Sequence, residues 1–127
     1  MRKNIFFLMV VLLTSNSCIN SSKVEDFSIG SPIEWGISTL TDTINLTTTY
    51  CNLSSKAVLI YYIDTPCGCI TAIPRDFYVG GGDSTVIDIA YKPLDFGYIE
   101  QNLFMYLKNR KVPIHIVIRG RVKNNTN

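Results

Sequence analysis

Apolar and polar residues alternate with a period of two along most of this chain, which is the signature of strands with one face buried and one face wet. The clearest case is Thr43 to Tyr50: Ile44, Leu46 and Thr48 share one face, and Thr43, Asn45, Thr47 and Thr49 share the other. Thr85 to Tyr91 sets Ile87, Ile89 and Tyr91 on one side. Ile99 to Leu107 does the same with Ile99, Leu103 and Met105, and the last run aligns Ile114, Ile116 and Ile118 against His115, Val117 and Arg119. Ala57 to Ile63 is apolar on both faces, so its pattern predicts a strand without saying which side is buried. Shorter strands are predicted at Ile33 to Ile37 and at Phe77 to Val79. The turn Asn52-Leu53-Ser54-Ser55 suggests that the strands flanking it form a hairpin.

Turn chemistry separates these runs. Pro66 ends the strand before Cys67-Gly68-Cys69, and Gly80-Gly81-Gly82-Asp83 can take positive backbone angles at little steric cost. Pro93, Gly97 and Asn109-Arg110-Lys111 mark two more loops, and Pro113 belongs at the start of the last strand, where its missing amide need not pair. No stretch of twelve residues beyond the N-terminal segment keeps a helical apolar period. About seven short strands spaced by turns predict an all-β, immunoglobulin-like antiparallel β-sandwich over residues 32–122, with a small barrel as the alternative. Its core is expected from Ile44, Leu46, Ile60, Ile87, Ile89, Leu103, Met105, Ile114, Ile116 and Ile118.

The N-terminus follows a different rule. Arg2 and Lys3 precede an apolar run from Ile5 to Leu13, and Thr14, Ser15, Asn16 and Ser17 lead to Cys18. A positive start, a short apolar stretch and a small polar exit describe an export signal, too short to span a ~30 Å hydrocarbon core. Residues 1–17 are therefore expected to be removed, and Cys18 resembles the acylated first residue of a bacterial lipoprotein, with Ser15 and Ser17 where such sites usually carry Leu and Ala or Gly. Residues 18–31 are polar and read as a tether, and residues 123–127 as a flexible tail. The expected address is the bacterial cell envelope at the outer membrane. No acidic run follows Cys18, which favours the periplasmic face.

Charge narrows the partners. The chain has twelve Lys and Arg against ten Asp and Glu, a formal +2. Arg2 and Lys3 account for all of that excess, so the part after the signal is neutral and a nucleic-acid partner loses its physical support. The partners expected instead are a membrane, reached through the N-terminal lipid, and an envelope protein or glycan.

Cysteine supplies the strongest local chemistry. With Cys18 acylated, Cys51, Cys67 and Cys69 remain. In an extended segment Cys67 and Cys69 point to one face, and Gly68 permits a tighter path between them. The three suit packing or a disulfide, one of the pair bonding Cys51, or a soft-metal site for copper or zinc, or thiol exchange. No cofactor is expected if the first reading holds. His115 has no nucleophile or carboxylate fixed beside it by the sequence, and the scattered acids, Asp64 and Asp83 among them, suit turn amides better than paired catalysis. The glycine run lacks the Lys-Ser/Thr of a phosphate loop. Asn45-Leu46-Thr47, Asn52-Leu53-Ser54 and Asn124-Asn125-Thr126 match the glycosylation triplet only by chance in a chain rich in Thr and Asn.

The segments "DTINLTTTYCNLSSKAVLIYYIDTPCGCITAIP", "YVGGGDSTVIDIAYKP", "GYIEQNLFMYLKN" and "VPIHIVIRGRV" together resemble the bacterial domain of unknown function 1573, over roughly residues 35–122. Its knuckle Cys-Gly-Cys-Thr is matched by Cys67-Gly68-Cys69-Ile70-Thr71, with Ile70 inserted, and Gly80-Gly81-Gly82-Asp83 stands in place of its Pro-Gly-Glu turn. The resemblance implies an exported immunoglobulin-like sandwich, often a lipoprotein, and no activity. The resulting expectation is a non-catalytic binding or structural module tethered to the envelope, the alternative being a soft-metal or thiol-redox protein built on the Cys-Gly-Cys segment. Its interaction patch is expected from Asp64, Gly68 and Thr71 in one loop together with Gly80, Gly81, Gly82 and Asp83 in another. Tyr61, Tyr62, Tyr78, Tyr98, Tyr106 and Phe104 supply a possible aromatic surface for a protein or glycan, although alternation should bury many such rings.

Overall fold

The computed structural model describes residues 26–108 and 110–124. The proposed signal, Cys18 and most of the tether lie outside the described residues. Nine strands run in chain order: β1 (Phe27–Ile29), β2 (Ile33–Thr39), β3 (Ile44–Asn52), β4 (Val58–Asp64), β5 (Ile70–Ile73), β6 (Phe77–Val79), β7 (Ser84–Tyr91), β8 (Gly97–Leu107) and β9 (Ile114–Lys123). They form two facing sheets, one ordered β1-β3-β7-β5 and the other β2-β9-β8-β4-β6. This is the all-β sandwich that the alternation predicts.

Four differences carry physical reasons. Two strands escape the sequence pattern, β1 and β5, because three or four residues are too few to show a period. β1 also lies in the segment read as tether: Phe27, Ser28 and Ile29 pair with Asn52, Cys51 and Tyr50. β3 and β4 form no hairpin, since β3 pairs with β1 and β7 while β4 pairs with β8 and β6. The five residues between them cross from one sheet to the other. Finally, the sandwich is not wholly antiparallel: β2 runs parallel to β9, Ile33 facing Ile118 and Thr39 facing Lys123.

Ambiguity in the Ala57–Ile63 run resolves into a bulge. The β4–β8 register shifts between Ile60 and Tyr62, so Ile60 and Ile63 both face the core although they are three positions apart. Tyr62 turns out to solvent and stacks on Tyr106 with centroids 5.0 Å apart. The core unites Ile60, Ile87, Ile89, Leu103, Met105, Ile114, Ile116 and Ile118 with Ile44, and Leu46 packs at its margin, half-buried. Tyr50, Ile63, Ile70, Val79, Tyr91, Leu107 and Val122 complete the buried apolar set. Asn45, Thr47 and Thr49 are exposed, as alternation requires. At Gly120 of β9 the Trp35 indole of β2 occupies the space that a Cβ would need.

Candidate functional site

The order of the strands gives the sandwich two distinct ends. At one, the chain enters at Asp26, and the loops 53–57 and 80–83 gather with Lys108 and residues 110–113. At the other lie the loops 40–43, 65–69 and 92–96. β7 measures their separation. Ser84 pairs with Cys51 near the first end, and Tyr91 pairs with Ile44 and Ile70 near the second, seven residues or roughly 23 Å away at ~3.3 Å per residue.

Cys67 and Cys69 sit at the far end, between β4 and β5, and they bond to each other, with Cα atoms 5.1 Å apart. That pairing replaces the expected bond from one of them to Cys51, which lies at the entry end beside Ser84. The backbone holds the knuckle from three directions. Ile70 N–H and the Thr65 hydroxyl both donate to the Cys67 carbonyl, at 3.3 and 3.2 Å, and Lys92 N–H donates to the Cys69 carbonyl at 2.9 Å. Gly68 projects into open space. Both cysteines are half-buried against the core, so the bond has one packed side and one accessible side. The accessible side borders a cleft of about 480 Å³, whose other walls include Tyr91, Leu94, Tyr98 and Glu100. Leu94 and Tyr98 are strongly exposed, which leaves an apolar rim beside the sulfurs.

The two loops expected to form one patch do not meet. Asp64, Gly68 and Thr71 lie toward the disulfide end, whereas Gly80 to Asp83 lie at the entry end. The glycine turn is a fastening. Gly82 N–H donates to the Asn52 carbonyl at 2.8 Å, Asn52 N–H to the Asp83 carbonyl at 2.9 Å, and Asp83 N–H to the Gly80 carbonyl at 3.0 Å. Gly82 has φ +80°, and a Cβ on Gly81 would strike the Ser55 backbone.

Asn52 organises this end, and its role is invisible in the sequence. It is fully buried. Its side-chain amide donates to the carbonyls of Lys56 (2.8 Å), Val79 (3.0 Å) and Gly80 (3.0 Å), while its oxygen accepts from Ser54 N–H (3.1 Å) and the Ser54 hydroxyl (2.7 Å). One side chain thus ties the crossover between the sheets to the glycine turn.

Beside Asn52 a second cleft, of about 400 Å³, opens between the sheets. Tyr50 and Phe27 line it, as do Lys56, Lys108 and Arg110. Arg110 stacks 4.8 Å above the Phe27 ring and pairs with Asp26 at 3.3 Å. Burial, reinforced by the nearby Asp26 carboxylate and opposed by Arg110, raises the Tyr50 phenol above its usual value.

His115 stands apart from both clefts, on the outer face of the five-stranded sheet. Its ring stacks on Phe104 with centroids 4.9 Å apart, and its Nε2 shares a 2.7 Å hydrogen bond with Asn102. Arg119, on the same face, bonds Glu34 at 2.9 Å, and that bond holds its guanidinium further above the usual arginine range. Among the described residues no group of three His, Cys, Asp or Glu side chains gathers to hold a metal ion. No helix among them is long and apolar enough to cross a membrane.

No family model matches the chain, and no curated protein matches it. Solved structures do share its fold. A Porphyromonas gingivalis protein of unknown function aligns with a TM-score of 0.65 at 15% identity, over 75% of this chain and 46% of that one. The PapD-like domain 7 of human CEP192 gives 0.65 at 10% identity, over 87% and 97% of the two chains. The CupB2 chaperone of Pseudomonas aeruginosa gives 0.53 at 17%, over 68% and 52%. The fold is an immunoglobulin-like, PapD-like sandwich. At such identities the likeness extends to the fold alone, and this chain spans less than half the length of the Porphyromonas protein.

Proposed function

We propose that the protein is an exported, lipid-tethered sandwich whose Cys67–Cys69 bond exchanges with a thiol partner, making it a redox-responsive binding module in the bacterial envelope. The observation that carries this reading is the size of the loop the bond closes. The cysteines are two positions apart, and in the chain-entropy account a three-residue loop contributes about 1.6 kcal/mol, roughly half the ~3 kcal/mol of a fifteen-residue loop. A bond that holds so little chain, at the lip of a cleft with an apolar rim, suits exchange better than bracing. The tether rests on the signal pattern and Cys18, and the resemblance to the domain of unknown function 1573, an exported and often lipidated family, supports an envelope address.

Exchange here is stoichiometric. A partner thiolate attacks one sulfur, the Cys67–Cys69 bond breaks, and the other cysteine leaves as a thiolate. A second partner thiolate then resolves the mixed disulfide. The partner ends oxidised, and Cys67 and Cys69 end as two thiols holding two electrons and two protons. Exposed Leu94 and Tyr98 offer the apolar contact that would seat a partner segment over the sulfurs.

Equilibration with graded thiol buffers, followed by alkylation and mass spectrometry, tests the proposal. The expected midpoint is more oxidising than about −300 mV, the limit below which structural bridges usually lie, and the fold is retained on reduction. In cells, Cys69→Ser leaves Cys67 able to trap a mixed disulfide, which the double variant Cys67→Ser/Cys69→Ser loses. A midpoint below that limit, or unfolding on reduction, would make the bond a brace. Metal analysis of the reduced protein in the same series reads out copper or zinc binding by the two thiolates.

A further inference from the structure

We infer that the entry end of the sandwich is a docking surface for anionic phospholipid headgroups, so that the domain stands on the membrane with its disulfide pointing away. This rests on the tether reading above, because the membrane is the surface to which Cys18 would lead. Two independent features point to it.

The first is charge. Lys56, Lys108, Arg110 and Lys111 cluster at this end against Asp26 and Asp83, an excess of two positive charges among the described residues there. The opposite end carries Asp42, Asp64 and Asp95 against Lys92, Arg121 and Lys123, which balance. A chain that is neutral after its signal is therefore polarised along its long axis. The cations are also placed for contact: Lys56, Lys108 and Lys111 are exposed, and Lys56, Lys108 and Arg110 line the 400 Å³ cleft. Val112, 68% exposed in the adjoining turn, adds an apolar contact at headgroup depth.

The second is where the chain leads. Asp26 begins the described residues at this end, and its carbonyl is fixed by Leu53 N–H at 2.9 Å. Cys18 precedes it by eight residues, which can span at most about 28 Å when fully extended. An anchor on that leash permits many orientations. The charge at the entry end selects one, because each cation near an anionic surface contributes about 1 kcal/mol, roughly five-fold in partitioning. Attraction of this kind fades over a Debye length, about 10 Å at 0.1 M salt, so only the basic end can be held close.

The test uses lipid-free protein starting at residue 18, which keeps every strand. A fluorescent side chain is placed at Ser55, on the basic end, or at Thr41, on the other, and a quencher is carried on the lipid headgroups. With vesicles of equimolar phosphatidylcholine and phosphatidylglycerol, the Ser55 probe should be quenched and the Thr41 probe should not. Phosphatidylcholine alone should quench neither. Lys56→Gln with Lys108→Gln should lower partitioning about 25-fold, and Lys92→Gln at the far end should leave it unchanged. Equal quenching at both sites, or none on anionic vesicles, would overturn the inference. Release by inorganic phosphate but not by chloride of matched ionic strength would also overturn it, by showing a soluble-phosphate site. Mass spectrometry of the native protein reads the tether separately. An unacylated Cys18 would remove the anchor without changing the vesicle result, so the two failures can be told apart.

Discussion

A buried polar side chain is worth keeping only when its hydrogen bonds are made, and Asn52 makes five. Replacing it with Ala takes the side-chain donor from the buried Val79 carbonyl and leaves the Gly80 and Lys56 carbonyls only Asp83 N–H and the Ser54 hydroxyl, so Asn52→Ala should lower unfolding free energy by roughly 2–4 kcal/mol, measured by urea denaturation. Asn52→Asp should be no rescue, since it loses the donors and adds a charge. Tyr50 acts through pH. Its folded-state pKa is raised above the usual 10.0, so its contribution is fully present below pH 10 and is lost as pH rises through the raised value. Tyr50→Phe should therefore flatten the alkaline limb of the stability profile above pH 10 while changing little near neutrality. Neither role shows in the sequence. An asparagine before Leu-Ser looks like a turn residue, and a tyrosine at the end of an alternating run looks like any other ring.

At the scale of the strand, alternation identifies β3, β7, β8 and β9. Core positions on β7, β8 and β9 follow the period of two, and Ile116 and Leu103 are fully buried on facing register positions. Ile116→Ala and Leu103→Ala should each cost about 2–5 kcal/mol through lost transfer energy and an incompletely collapsed cavity. A loss under ~0.5 kcal/mol for both in chemical denaturation would contradict that assignment. What alternation cannot supply is sheet membership. The β3–β4 connection has the length of a hairpin loop, yet Asn52 fastens it as a crossover. The bulge at Tyr61–Tyr62 likewise breaks the period inside β4, which is why that run shows no dry side on paper. The Cys-Gly-Cys segment was legible as chemistry, but its partner was not: whether a cysteine bonds its near neighbour or a distant one depends on which end of the sandwich each occupies.

For the whole molecule, the two ends divide the proposed labour. One carries the tether, the cations and the Asn52 fastening, and the other carries the disulfide and its cleft. The parallel pairing of β2 with β9 has a further consequence, in time rather than in space. Ile33 pairs with Ile118, 85 positions further along the chain, and β2 has no other neighbour in its sheet. A chain that emerges N-terminus first must hold β2 without its hydrogen-bonded neighbour until the last strand arrives, because loop closure over such a distance is rewarded only at the end. Ending the chain before Ile114 should therefore abolish the cooperative thermal transition outright, not merely lower its midpoint. If the chain is exported as proposed above, such a delay is useful: the emerging chain cannot complete its sandwich, and so cannot jam the export channel, until almost all of it is through.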